Sequence, residues 1–254
     1  MNWIITFFLR SRINLLLFFV FLGGITIRLF VWDASPYLSR DSIFYLEQIN
    51  RLYHDAESNF NSLETPYPPM LFYMTKTIMK AGASGLYAGL SINIIMGALI
   101  PVISFFLSKE FLGSKVISAI STLIVFFHPS LIRLSLEIQR DIGYIFISTV
   151  LLLFLIRGIK RALIRYWILT GFFFVISIMF RAESFEFLPI IICFSFVVFA
   201  RKRKMKRWGI MITAFVLSFI VSGFITMNVL KIDWNYILKV SSMYSNRIDF
   251  KDVM

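Results

Sequence analysis

The chain has 254 residues, of which 58% are hydrophobic, and its mean hydropathy is +0.79. This composition is too apolar for an ordinary soluble domain. The net charge is +12, and the single cysteine, Cys193, excludes a disulfide or a cysteine metal site within the chain.

Seven apolar runs are candidates to cross a membrane, and we read the first as an uncleaved span rather than a removed signal. They cover residues 13–32, 86–107, 116–131, 142–156, 166–180, 184–200 and 208–230. Because a backbone in lipid must satisfy its own hydrogen bonds and no barrel-like alternation is present, the spans should be helices. The sequence therefore predicts an all-α, polytopic integral membrane protein with about seven transmembrane helices in a single domain, 1–254.

The basic residues predict the orientation. With the N-terminus in the cytoplasm, the inner segments hold 14 basic residues and one acid, Glu110, whereas the outer segments hold 12 basic and 13 acidic residues. The basic run at 201–207 joins two spans, so it favours contact with anionic lipid over contact with nucleic acid.

The first outer segment, residues 33–85, is too long to be a simple connection, which is typical of a functional or structured loop. Tyr45, Ile49, Leu52 and Tyr53 recur at helical spacing and predict an amphipathic surface helix over residues 39–54, with its apolar stripe on the bilayer. A polar stretch follows, and Pro68-Pro69 should open a second helix at Met70. The tail, residues 231–254, is expected on the outer side.

Three charged clusters stand at the outer ends of these elements, and each has a structural alternative. Asp41, with Tyr45 one turn away, is a candidate site residue, although Asp41 or Ser39 could simply cap the helix. The second cluster could be a ladder of salt bridges at a span entrance, and it comprises Arg133, Glu137, Arg140 and Asp141. In the third, Arg181 could snorkel to the interface, but this does not explain Glu183 beside it.

Arg28 lies inside the outer half of the first span. It could snorkel outward or pair with Asp33. We assign it no role from the sequence.

The order of these motifs along the spans resembles the polytopic GT-C glycosyltransferases. It is most similar to glycosyltransferase family 39, which includes protein mannosyltransferases and bacterial aminoarabinose transferases. The resemblance covers about residues 13–200 and is carried by Arg40-Asp41-Ser42-Ile43-Phe44-Tyr45, Thr65-Pro66-Tyr67-Pro68-Pro69-Met70-Leu71-Phe72-Tyr73, Arg140-Asp141-Ile142-Gly143-Tyr144 and Arg181-Ala182-Glu183. This chain departs from the family in three ways: Ser42 replaces a common second acid, Ala182 replaces a proline, and the chain is short. That length is compatible with a truncated product, with a fragment, or with one half of an enzyme that needs a partner subunit.

The resemblance implies transfer of a sugar from a polyprenyl-phosphate donor to a glycan, lipid or protein acceptor at the periplasmic or extracellular face of a bacterial inner (plasma) membrane. It implies Asp41 as the general base, and Arg133, Arg140 and Arg181 as candidates for the phosphate. The remaining candidates would orient the arginines or bind the substrate, and they are Asp141, Glu183, Glu137 and Tyr45. No metal is predicted, because no second acid stands beside Asp41, although some GT-C enzymes use a divalent cation. The alternatives are a flippase for a lipid-linked sugar and a non-catalytic membrane subunit.

Overall fold

The computed structural model describes residues 12–54, 69–232 and 235–236. These residues form ten α-helices and one 3-10 helix, without a strand among them. The α-helices are α1 (Arg12–Ala34), α2 (Arg40–His54), α3 (Met70–Met79), α4 (Gly85–Leu112), α5 (Lys115–Phe126), α6 (Pro129–Leu134), α7 (Arg140–Arg161), α8 (Ile164–Phe180), α9 (Phe187–Arg201) and α10 (Met205–Leu230), and the 3-10 helix is Ala182–Glu186.

The prediction of an all-α polytopic membrane protein is confirmed. Within the described ranges, five helical segments are long and apolar enough to cross a membrane: α1, α4, α7, α10, and the 3-10 helix continued by α9. The remaining two predicted spans are also helical but shorter, and they are α5 and α8. Helices α4 and α7 are the most enclosed of the five, so they form the centre around which the others pack.

The third predicted span ends earlier than its apolar run suggests. Helix α5 ends at Phe126, and Pro129 starts the separate short helix α6. Because the ring of a proline disfavours helical geometry at the preceding residue, His128 is extended, with φ −68° and ψ 113°. The chain therefore breaks here rather than running on to residue 131.

The two predicted helices of the first outer segment are both present, as α2 and α3. The apolar stripe of α2 is buried in protein, however, rather than left to face lipid: Ile49 is 0% exposed and Leu52 is 2% exposed. Tyr45 stacks on Phe72 of α3 with a distance of 5.4 Å between ring centroids. The polar stretch between these helices, Pro68 and most of the tail lie outside the described residues.

Arg28 of α1 neither snorkels nor pairs with Asp33; it is buried, with 1% exposed, against α4. Its Nη1 donates to the Gly24 carbonyl and its Nη2 to the Gly97 carbonyl, both at 2.9 Å. The Gly97 carbonyl would normally accept the backbone N–H of residue 101, but that residue is Pro101, which has none. Arg28 thus supplies the donor that the proline removes.

Gly97 makes this contact possible. A Cβ at this position would overlap the Ser135 hydroxyl and lie 2.9 Å from Arg28 Nε. The missing side chain lets α1 and the segment after α6 approach the same point of α4, which also brings residues 135–139 close to the site described below.

The two ends of α7 carry different charge. At its C-terminal end, Arg157 Nε and Arg161 Nη2 pair with Glu110 Oε1 of α4 at 2.8 and 2.7 Å. Its N-terminal end carries Asp141, which pairs with Arg181. We call the first end the basic face and the second the site face.

Candidate active site

A polar cavity of about 330 Å³ opens on the site face between α2 and the N-terminus of α7. Seven residues line it, and they are Arg40, Asp41, Phe44, Tyr45, Gln139, Arg140 and Asp141. The two segments are about a hundred residues apart in sequence. The structure therefore brings the first predicted charged cluster and half of the second, Arg140 and Asp141, around one space.

Helix α2 is capped by Ser39 and not by Asp41. The backbone N–H of Ser42 donates to Ser39 Oγ at 3.2 Å, which is the usual geometry of an N-terminal serine cap. Asp41 is left exposed toward the cavity. The alternative that the motif merely caps a helix thus holds for Ser39, and it leaves the Asp41 carboxylate available for chemistry.

Ser42 fixes α2 to the segment before α7. Its side chain is fully buried, and its Oγ accepts the backbone N–H of Ile138 at 3.0 Å. From the other side, Asn93 of α4 donates to the carbonyls of Glu137 and Gln139 at 2.5 and 2.9 Å. Buried backbone groups need such partners because an unsatisfied one is costly. The segment that leads into Arg140 and Asp141 is thereby held against α2.

Gln139 is a site residue that the sequence reasoning missed. Its Nε2 donates to Ser39 Oγ at 3.1 Å and to Glu137 Oε2, and the residue lines the cavity. A glutamine before a helix does not by itself indicate a functional site. The sequence feature that could have identified Gln139 is that it directly precedes Arg140-Asp141.

The third cluster reaches the site through Asp141. Arg181 Nη1 pairs with Asp141 Oδ1 at 2.7 Å, and Arg181 Nε lies 3.3 Å from Glu183 Oε1. The guanidinium also lies over the ring of Tyr144, 5.5 Å from its centroid. Arg181 is therefore held by two carboxylates and an aromatic face, which fits the hypothesis that Asp141 and Glu183 orient it.

Gly143 permits this pairing. A Cβ there would overlap the ring of Phe180, the last residue of α8, which is 1% exposed. Because Phe180 packs directly on the α7 backbone, the next residue, Arg181, reaches Asp141. Buried serine hydroxyls hold the turn between α8 and the 3-10 helix: Ser177 Oγ lies 3.1 Å from Ser148 Oγ and 2.8 Å from Ser184 Oγ.

Arg133 and Glu137 lie elsewhere. They pair at 3.5 Å and line a second, mainly apolar cavity of about 500 Å³ beside the end of α1. The Arg133 side chain is 76% exposed and that of Glu137 only 8%. The structure thus separates these two residues from the cavity that Asp41 lines, although Gln139 contacts both Glu137 and Ser39.

The electrostatics of the polar cavity suit an anion beside a carboxylate. Arg40 and Arg140 line it, and the first residues of the 22-residue helix α7 form one wall, so the positive end of that helix dipole lies at the cavity. Glu183, which holds Arg181 outside the lining of this cavity, has a buried Oε2 without a hydrogen-bond partner among the described residues.

Among the residues that the structure describes, no group of three or more His, Cys, Asp or Glu side chains is placed to hold a metal ion.

A comparison with protein families gives a match that covers more than half of the chain. The family described as dolichyl-phosphate-mannose-protein mannosyltransferase matches residues 66–226. This range includes Asp141, Arg181 and Glu183 and begins after α2, so it does not include Asp41. No curated protein and no solved structure matches the chain significantly.

Proposed function

Because the chain belongs to the dolichyl-phosphate-mannose-protein mannosyltransferase family of membrane glycosyltransferases, we propose that it transfers a sugar from a polyprenyl-phosphate donor to an acceptor at the site face. We further propose that this face is periplasmic or extracellular and that the N-terminus is cytoplasmic, since the segments at the opposite end of the bundle have the excess of basic over acidic residues.

The observation that carries the proposal is the shared cavity of Asp41, Arg140 and Asp141. In the transfer, an acceptor oxygen or nitrogen attacks the anomeric carbon of the sugar, and the bond from that carbon to the phosphate oxygen breaks. The acceptor proton passes to a base, and the polyprenyl phosphate leaves with the bonding electrons. A carboxylate that faces water across a cavity lined by arginines can serve as that base.

Asp41 is our candidate base. It lies on the α2 side of the cavity, and α2 is held in place by Ser39 and Ser42. Its support comes from this geometry and from the resemblance of residues 40–45 to the family's first-loop motif.

The leaving phosphate would lie toward α7. Arg140 and the N–H groups at the start of α7 present positive charge there, and arginine can hold two phosphate oxygens at once. Arg181 would add to this field while Asp141 and Glu183 hold it in place. Glu183, whose Oε2 has no hydrogen-bond partner among the described residues, is our candidate acceptor for a sugar hydroxyl.

The test of the base is Asp41→Asn, assayed by radiolabelled sugar transfer from a polyprenyl-phosphate donor in proteoliposomes. We expect a loss of about 10²-fold or more, the usual contribution of a general base, with the protein still inserted. Glu47→Gln is the matched control, because Glu47 is an exposed carboxylate on the same helix and outside the cavity lining. Normal transfer by Asp41→Asn would remove Asp41 from this role.

The test of the arginine is Arg181→Ala, with donor-lipid binding and acceptor binding measured separately. We expect donor affinity to fall more than acceptor affinity, since the lost charge is opposite to that of the phosphate. Arg133→Ala serves as comparison, because Arg133 lines the other cavity. Equal loss in both variants, or unchanged donor affinity in Arg181→Ala, would defeat the assignment.

The same proteoliposome assay distinguishes the flippase alternative. Translocation of the donor lipid without sugar transfer would identify a flippase instead of a transferase.

A further inference from the structure

A third cavity, distinct from the two described above, is a cleft on the basic face between the C-terminal parts of α4, α7 and α9. Its volume is about 220 Å³. Its apolar wall is formed by Phe111, Ile156, Ile159, Phe194 and Val198, and two lysines, Lys160 and Lys202, complete it. Phe111 is 58% exposed and Phe194 is 48% exposed, so the cleft is open along the sides of helices that span the membrane.

The charge around this cleft lacks a counterion within the described chain. Glu110 is the acid of this face among the described residues, and its carboxylate is already paired with Arg157 and Arg161. Lys160 donates to the Glu110 backbone carbonyl, and no carboxylate among the described residues pairs with its positive charge. Lys202, at the end of α9, is exposed beside the run of basic residues that precedes α10.

We propose that this cleft binds one anionic phospholipid of the leaflet that meets the basic face. An acyl chain would lie along the apolar wall, and the phosphate would lie between the ammonium groups of Lys160 and Lys202. A lipid fits both halves of the site, because a hydrocarbon chain needs the open apolar groove and an anionic headgroup needs the two cations. This inference does not depend on the proposed transferase activity.

The direct test uses the full chain in detergent, delipidated and then titrated with dioleoyl phosphatidylglycerol or dioleoyl phosphatidylcholine, with bound lipid counted by native mass spectrometry. We expect one phosphatidylglycerol to bind more tightly than phosphatidylcholine. A basic residue near an anionic lipid contributes about 1 kcal/mol, or about fivefold in affinity. Lys160→Gln with Lys202→Gln should therefore weaken phosphatidylglycerol binding by roughly 25-fold.

Two further variants separate a site from a diffuse field. Lys204→Gln with Lys206→Gln removes the same charge from the same face but outside the cleft, and it should leave the tight phosphatidylglycerol site unchanged. Val198→Trp fills the apolar wall without changing any charge, and it should also weaken phosphatidylglycerol binding. Equal loss in both lysine pairs, full binding by Val198→Trp, or equal affinity for phosphatidylcholine would each overturn the proposal.

Discussion

The contact between Arg28, Gly97 and Pro101 makes a quantitative prediction about stability. If Arg28 is retained because Pro101 leaves the Gly97 carbonyl without a helical donor, the two residues must be energetically coupled. Replacing Pro101 by alanine restores an N–H at position 101, so the Gly97 carbonyl no longer depends on Arg28. The cost of Arg28→Met should then be smaller in the Pro101→Ala background than in the native chain.

The size of this coupling follows from the buried carbonyl. Leaving a buried backbone acceptor without a donor costs about 1–3 kcal/mol in water-soluble proteins. Measured side-chain hydrogen bonds within membrane proteins are weaker, averaging about 0.6 and reaching about 1.7 kcal/mol. Because Arg28 is fully buried and its 2.9 Å bond is charge-assisted, we expect a coupling free energy of about 1 kcal/mol, above the average for membrane proteins.

The assay is a double-mutant cycle on the free energy of unfolding, measured by sodium dodecyl sulfate titration in mixed micelles. The four proteins are the native chain, Arg28→Met, Pro101→Ala and the double variant. A control cycle replaces Pro101→Ala by Val102→Ala, the next residue of α4, which should be additive with Arg28→Met. Additivity in the proline cycle would refute the idea that Arg28 compensates for the proline.

Two other changes probe the packing that positions the polar cavity. Ser42→Ala leaves the buried N–H of Ile138 without its acceptor and should cost about 1–3 kcal/mol of stability; an unchanged unfolding midpoint would show that this bond is dispensable. Gly143→Ala forces a Cβ into the Phe180 ring and should cost about 1–3 kcal/mol, partly recovered by a second change, Phe180→Leu. If the second change gives no recovery, the strain lies elsewhere.

The sequence alone was sufficient to predict the all-α, polytopic class of the protein. The lengths of the apolar runs predict helices, because lipid offers no partner for backbone N–H and C=O groups. The same local reasoning found α2 from its helical stripe and α3 from the proline before Met70, within a residue or two of the observed bounds. It failed at the third span, where Pro129 divides an apolar run that looks continuous by hydropathy.

Side-chain partners were harder to predict. The pattern that suggested a stripe for α2 could not distinguish lipid from protein as its neighbour, since both accept apolar surface. The sequence also grouped Arg133 and Glu137 with Arg140 and Asp141, whereas the bend between α6 and α7 directs the first pair into a different cavity. Spacing along a helix predicts contacts only while the helix continues.

What the sequence by itself determined is therefore that the chain is an all-α membrane protein and which apolar runs form its long helices, since both depend on local hydropathy. What only the tertiary structure decided is which distant groups meet: Asp41 with Asp141 across one cavity, and Arg28 with the carbonyl that Pro101 leaves unpaired. The physical reason is that such contacts depend on the close approach of helices at positions such as Gly97 and Gly143. A glycine in the sequence does not show which residue of another helix packs against it, so these contacts cannot be predicted from the sequence.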